Sequence, residues 1–195
     1  MELERILVVD PIDGEYTADV RISGSKIESI KKTGGDFRSI AMPGFVDTHS
    51  HGALGINCMT MNHEGLEKWE EFAQSHGVTY LLPTTVSASE EGMKRVADLV
   101  SKYISDRSRT VVHGVHFEGP YINPKKKGAQ NPEAIRQPTL SEINSVLSDV
   151  VMIITMAPEV GGFLEVLPEI IKREIAVSIG HTDATYNQIK AAYKL

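Results

Sequence analysis

The chain has 195 residues, 41% of them hydrophobic and 24% charged, and 20 Lys+Arg against 26 Asp+Glu leave a net charge of −6. That is a globular composition with room for a substantial core, and its acidic balance excludes a general surface for nucleic acid or anionic membrane. The single cysteine, Cys58, excludes an internal disulfide framework, no apolar run reaches membrane-spanning length, and the Met-Glu-Leu-Glu-Arg start lacks the order of a signal peptide, so a cytoplasmic protein is expected.

Residues 1–42 read as a small β-sheet region. Ile6-Leu7-Val8-Val9 is a short strand stopped by Pro11-Ile12-Asp13-Gly14. Alternation returns in Ala18–Ile22 and, after a Gly24-Ser25 turn, in Lys26–Ile30, which predicts antiparallel strands joined by tight turns. From Phe45 the pattern becomes strand, loop, amphipathic helix, repeated. Strands are predicted to begin near Phe45, Val78, Val111, Val151 and Val177. Asn62 caps a helix carrying Leu66, Trp69, Phe72 and Ala73, with Gly77 at its end. Ser87 with Glu90 reads as a capping box before Met93, Val96, Val100 and Ile104. Phe163–Glu174 is a weaker helix interrupted by Pro168, and a last helix is predicted from near Asp183 through Tyr193.

This alternation implies βαβ crossovers and a parallel sheet. An open doubly wound sheet and a (β/α)8 barrel both fit, but no Gly-x-Gly-x-x-Gly follows the first of these strands, which weakens the nucleotide-binding version of the open sheet. The expectation is an α/β chain: an incomplete TIM-like barrel of about five βα units over residues 43–195, with strand order 1-2-3-4-5 and right-handed crossovers. The sequence stops inside an amphipathic helix at Tyr193-Lys194-Leu195 without a terminator, so it reads as cut short.

Three strand ends carry metal-compatible side chains. Pro43-Gly44-Phe45-Val46-Asp47-Thr48-His49-Ser50-His51-Gly52 ends a strand in His-x-His, and alternate residues share a face, so His49 and His51 can share one ion. Val115-His116-Phe117-Glu118-Gly119-Pro120 ends the third strand in a carboxylate directly after apolar residues, with His116 on the same face as its expected hydrogen-bonding support. Ala176–Ile179 leads to His181. Active sites of barrels sit on that rim. His63, His76 and His113 read as structural, and Cys58 as a small buried hydrophobe. Lys125-Lys126-Lys127 is ordinarily a solvated loop, though beside Glu118 it could offset the acidic surface for an anionic substrate.

Pro-Gly-Phe-Val-Asp-x-His-x-His-Gly after a short β region resembles the amidohydrolase superfamily of metal-dependent hydrolases. His116–Tyr121, Lys127-Gly128-Ala129, Ala157-Pro158-Glu159 and Ser178–Thr185, in that order, resemble its N-acetylglucosamine-6-phosphate deacetylase family. The resemblance implies that residues 1–42 are the N-terminal part of a small β-sandwich. It implies that Glu118 and His181 bind a divalent metal, Zn or Fe, and that His49 and His51 hold a second ion in some members. Ala129 and Gln130 match the segment that contacts the amino sugar; Gln130 departs from the form of that motif ending in His, so it can exchange hydrogen bonds but cannot carry a proton charge.

The implied reaction is hydrolysis of the N-acetyl group of N-acetylglucosamine 6-phosphate to glucosamine 6-phosphate and acetate, by an enzyme that is a homodimer at full length. The family's general-base aspartate, second later histidine and phosphate-gripping residues lie beyond Leu195, so no catalytic residue is assigned and the isolated chain is expected to be inactive and poorly stable. Other amidohydrolases, such as a cyclic-amide hydrolase or a nucleobase deaminase, and a non-catalytic metal-binding remnant are the alternatives.

Overall fold

Strand-forming sequence at the N-terminus pairs with itself. In the computed structural model, which describes residues 1–194, β1 (Glu2–Asp10), β2 (Gly14–Ser23), β3 (Lys26–Lys32) and β4 (Ser39–Ala41) form one sheet in the order β3-β2-β1-β4. β1–β2 and β2–β3 are antiparallel, as the turn residues predict. The first turn is held by Asp10, whose Oδ1 accepts from the backbone N–H of Ile12 at 2.8 Å and of Asp13 at 2.9 Å. Gly14 closes it at φ +77°, a conformation side chains disfavour. β4, which the alternation did not reveal, adds parallel to β1 through only three residue pairs. Ile6, Ala18 and Val20 are buried in this unit, which spans Met1–Phe45.

The second compact unit begins at Val46. Its elements alternate along the chain: β5 (Phe45–Ser50), α1 (His63–Ser75), β6 (Val78–Thr85), α2 (Glu90–Ser105), β7 (Val115–Glu118), α3 (Leu140–Val146), β8 (Val151–Met156), α4 (Phe163–Lys172), β9 (Ala176–Ile179) and α5 (Tyr186–Ala192). The five strands form one sheet in the order β5-β6-β7-β8-β9, with no reversal. β6–β7, β7–β8 and β8–β9 pair in parallel. That sequential order is the order of a barrel wall and not of a doubly wound sheet.

The helices cover the sheet through the stripes their periodicity predicts. Leu66 and Trp69 of α1, Met93, Val96 and Val100 of α2, and Phe163, Val166 and Ile170 of α4 are buried with Phe117 and Ile154 of the sheet. Asn62 caps α1, accepting from the Gly65 N–H at 2.9 Å. Two helix starts and one whole helix differ from expectation. The cap of α2 is Ser89, because the Ser87 N–H is already donated to the Gln130 side chain. α5 starts at Tyr186 behind a Thr185–Gln188 capping box, because the Asp183 N–H is taken by Glu159. α3, only seven residues long with Ile143 and Val146 buried, is too short for its period to show. No helix among the described residues is long and apolar enough to cross a membrane.

Candidate metal centre

Four of the residues singled out by the sequence meet at the C-terminal ends of the parallel strands. β5 delivers His49, and His51 follows just after it. Gly52 lets the chain turn away there: at φ +144° it passes so close to the next loop that a Cβ would lie 1.9 Å from the Ile56 carbonyl oxygen. β7 delivers Glu118, which is 7% exposed, and the loop after β9 delivers His181. Glu118 is the hub. Its Oε1 lies 3.4 Å from His49 Nε2 and 2.9 Å from His181 Nε2, and its Oε2 lies 3.2 Å from His51 Nε2. Ligand atoms of His49, His51 and Glu118 all fall within 4.8 Å of one another. The four side chains converge on the strand-end rim around one carboxylate.

The ring orientations fix which nitrogens face inward. His51 Nδ1 donates to the Thr84 carbonyl at 3.0 Å and His181 Nδ1 donates to the Lys126 carbonyl at 2.9 Å. A nitrogen bonded to a carbonyl must carry a proton, so in the neutral ring each Nε2 presents a lone pair toward Glu118. Lone pairs turned toward a carboxylate repel it unless a cation lies among them. A carboxylate and imidazole nitrogens at these separations match the donor set of Zn²⁺ or Fe²⁺, with ligand distances of about 2.0–2.2 Å. A proton is the alternative cation. Burial works against the charged form of His181, but the Glu118 hydrogen bond and the Lys126 carbonyl outweigh it and raise its pKa above the ordinary imidazole value.

His116 does not touch Glu118, contrary to the expectation of direct support. Its Nδ1 donates to the Thr48 carbonyl at 2.8 Å and its Nε2 accepts from the Thr155 hydroxyl at 2.7 Å. It thus ties the β5 backbone, one residue before His49, to β8. Its ring stands edge-on to that of His49 at 4.9 Å between centroids. Burial pushes its pKa down, which keeps it neutral for this bridging role.

Gln130 is turned inward and buried. Its Nε2 donates to Glu118 Oε2 at 2.5 Å, and its Oε1 accepts from the Ser87 N–H at 2.6 Å. Its neighbour Ala129 is exposed. Lys126 pairs with Asp183 at 3.0 Å, while Lys125 is exposed. His63 bonds Arg107 Nη1 at 2.9 Å, and His76 bonds the Phe72 carbonyl at 2.9 Å, both away from the cluster. Cys58 is buried, and burial pushes its thiol up to about 12. The contacts that orient the rings come from the backbone carbonyls of Thr48, Thr84 and Lys126, which no side-chain pattern reveals.

Comparison with known proteins agrees with this fold. A crystal structure of N-acetylglucosamine-6-phosphate deacetylase from Thermotoga maritima superposes with a TM-score of 0.91 at 41% identity, covering all of this chain and 52% of that one. The N-acetylglucosamine-6-phosphate deacetylase of Haemophilus influenzae is 34% identical over 77% of this chain and 40% of its own length. The N-acetylgalactosamine-6-phosphate deacetylase of Escherichia coli O157:H7 is 30% identical over 77% of this chain and 41% of its own length. The chain thus spans about two-fifths of the curated relatives it matches. Residues 40–195 match the model of the amidohydrolase family. A sequential five-stranded parallel wall, with His-x-His, a strand-end glutamate and a later histidine on its rim, places this chain in the amidohydrolase family.

Proposed function

We propose that these residues build the metal-binding part of an amino-sugar-phosphate deacetylase, which hydrolyses the N-acetyl group of N-acetylglucosamine 6-phosphate to glucosamine 6-phosphate and acetate. The observation that carries the proposal is the buried Glu118 carboxylate faced by three imidazole nitrogens. The names of the relatives supply the substrate class. Residues 43–195 then form the first part of the catalytic barrel, and residues 1–42 part of a small β-sandwich. The full-length enzyme is taken to be a cytoplasmic homodimer without nucleic-acid or membrane partners.

Glu118 and His181 would hold the divalent metal, with His49 and His51 available to the same ion or to a second one. The chemistry such a metal would supply is a lowered pKa for bound water and polarisation of the amide carbonyl. The chain's own residues hold that arrangement still. His116 fixes the β5 end, and the carbonyls of Thr84 and Lys126 keep Nε2 of His51 and His181 free. Gln130 donates to Glu118 and fixes which way its carboxylate faces. Gln130 and its exposed neighbour Ala129 would meet the sugar.

The test, on the intact enzyme with Zn²⁺ or Fe²⁺, is acetate release from N-acetylglucosamine 6-phosphate and from N-acetylgalactosamine 6-phosphate, with ring opening of a cyclic amide followed in parallel. Turnover of the first, lost in Glu118→Gln, is expected. Preference for the galactose epimer would redirect the sugar assignment, and ring opening of the cyclic amide would overturn the deacetylase reading.

A further inference from the structure

The loop after β8 contains a carboxylate that touches neither Glu118 nor any imidazole of the cluster, yet holds the surroundings of one of them. Glu159 Oε1 accepts from the Asp183 N–H at 2.6 Å and from Asn123 Nδ2 at 2.8 Å, and its Oε2 accepts from the Thr182 hydroxyl at 2.5 Å. One carboxylate thus joins the loops that follow β7, β8 and β9.

His181 needs such a clamp. Its φ is +50°, in the left-handed region that a residue with a Cβ occupies at a steric cost and keeps only where the surroundings impose it. Its backbone is fixed from both sides. The Gly180 N–H bonds the Met156 carbonyl at 3.2 Å, the His181 carbonyl accepts from the Asn123 N–H at 3.0 Å, and the next two residues are the ones Glu159 grips. The ring is fixed too. Asn123, held by Glu159, accepts from the Lys125 N–H at 2.9 Å and so shapes the 3-10 turn Pro124–Lys126, whose last carbonyl receives the His181 Nδ1 proton. Glu159 reaches His181 by two routes: through Thr182 and Asp183 to its backbone, and through Asn123 and Lys126 to its ring.

We propose that Glu159 is a positioning residue that holds His181 in its left-handed backbone conformation and in the tautomer that presents Nε2 to a divalent metal. The proposal rests on His181 being a metal ligand. Partners that orient a ligand from outside the coordination shell typically change metal affinity by about 10–100-fold when removed. Glutamine at this position keeps an oxygen for Asp183 and Asn123, and its amide can donate to a rotated Thr182 hydroxyl. The hydrogen-bonding shape survives without the charge.

The experiment is a Zn²⁺ titration against a chromophoric chelator, with Co²⁺ absorption spectra in parallel, on the intact protein and on Glu159→Ala, Glu159→Gln, Thr182→Val and His181→Ala. Glu159→Ala is expected to lose at least about 10-fold in Zn²⁺ affinity and to alter the Co²⁺ spectrum. Glu159→Gln is expected to stay within about 3-fold of the parent. Thr182→Val removes one arm of the clamp and should weaken binding several-fold, which keeps the test open if Glu159→Ala does not fold. If His181→Ala binds Zn²⁺ as the parent does, the ligand assignment fails. If His181→Ala is weakened while Glu159→Ala and Thr182→Val bind normally, the assignment stands and the clamp is wrong. A Glu159→Gln variant as weak as Glu159→Ala would likewise overturn the hydrogen-bonding account.

Discussion

Two buried glutamates in the βα unit, Glu70 and Glu118, show how a structural carboxylate differs from one built for a cation. Glu70, on α1, is 6% exposed and Glu118 is 7% exposed. Glu70 is surrounded by donors. Its Oε1 accepts from the Thr110 hydroxyl and the Val111 N–H, each at 2.6 Å, and from Gln74 Nε2 at 3.2 Å, while its Oε2 accepts from the Tyr103 hydroxyl at 2.5 Å. Each lone pair that matters has a proton facing it, and the result is a closed lock between α1, α2 and the approach to β7. Glu118 has one such neutral donor, Gln130, and its other neighbours are imidazole nitrogens; in neutral His51 and His181 the single ring proton is committed to a backbone carbonyl, so that each Nε2 faces the carboxylate as an acceptor unless a proton or a metal lies between them. Burial alone does not mark a functional carboxylate. Facing other acceptors does.

The comparison can be broken most sharply by exchanging each carboxylate in turn. Glu118→Gln should lower Zn²⁺ affinity by more than about 100-fold, beyond what orienting partners cost, while leaving the metal-free thermal midpoint unchanged or higher. A Glu118→Gln protein that unfolds early and still binds Zn²⁺ would reverse the assignment. Glu70→Ala should do the opposite. It strands the Tyr103 and Thr110 hydroxyls and the Val111 N–H, costing about 2–3 kcal/mol in urea unfolding, with Zn²⁺ affinity within about 3-fold of the parent.

Acidity separates the two sites again, by smaller amounts. Binding a metal at His181 displaces a proton whose pKa stands above the ordinary imidazole value, so Zn²⁺ affinity should fall as pH drops through neutrality, by up to about tenfold per pH unit for each proton displaced. Fold stability responds lower down. Burial would push Glu70 up, but hydrogen bonds from Thr110, Tyr103 and Val111 outweigh it and hold its carboxyl below the ordinary value. The native state then binds fewer protons than the unfolded one. The stabilisation is present above the unfolded carboxyl value of about 4.3 and lost as pH falls through the lower native value. Urea midpoints between about pH 5 and 3 should fall more steeply in the parent than in Glu70→Gln; parallel curves would show that Glu70 contributes nothing to acid sensitivity.

Much of the architecture was legible because long periodic segments declare themselves. The five βα strands, their sequential order, α1, α2 and the N-terminal antiparallel turns all follow from apolar spacing and Gly/Pro punctuation. Short elements were not legible: β4 and α3 bury too few residues to show a period. The boundaries of α2 and α5 shifted because Ser87 and Asp183 serve contacts distant in sequence, with Gln130 and Glu159. The site followed the same division. His49, His51, Glu118 and His181 could be read from strand ends, but the partners of His116 are a carbonyl and a hydroxyl on two other strands. Nor does the sequence reveal that Gln130 folds back onto Glu118, because that depends on where a loop returns.

The most direct test of the central claim is zinc K-edge X-ray absorption on the Zn²⁺-loaded intact protein, alongside Glu118→Gln. The account predicts a shell of nitrogen and oxygen ligands at about 2.0–2.2 Å, imidazole scattering beyond it and no sulfur, with that signature lost in the variant. A sulfur shell near 2.3 Å, which only Cys58 or a methionine could supply, or an unchanged spectrum in Glu118→Gln, would contradict it.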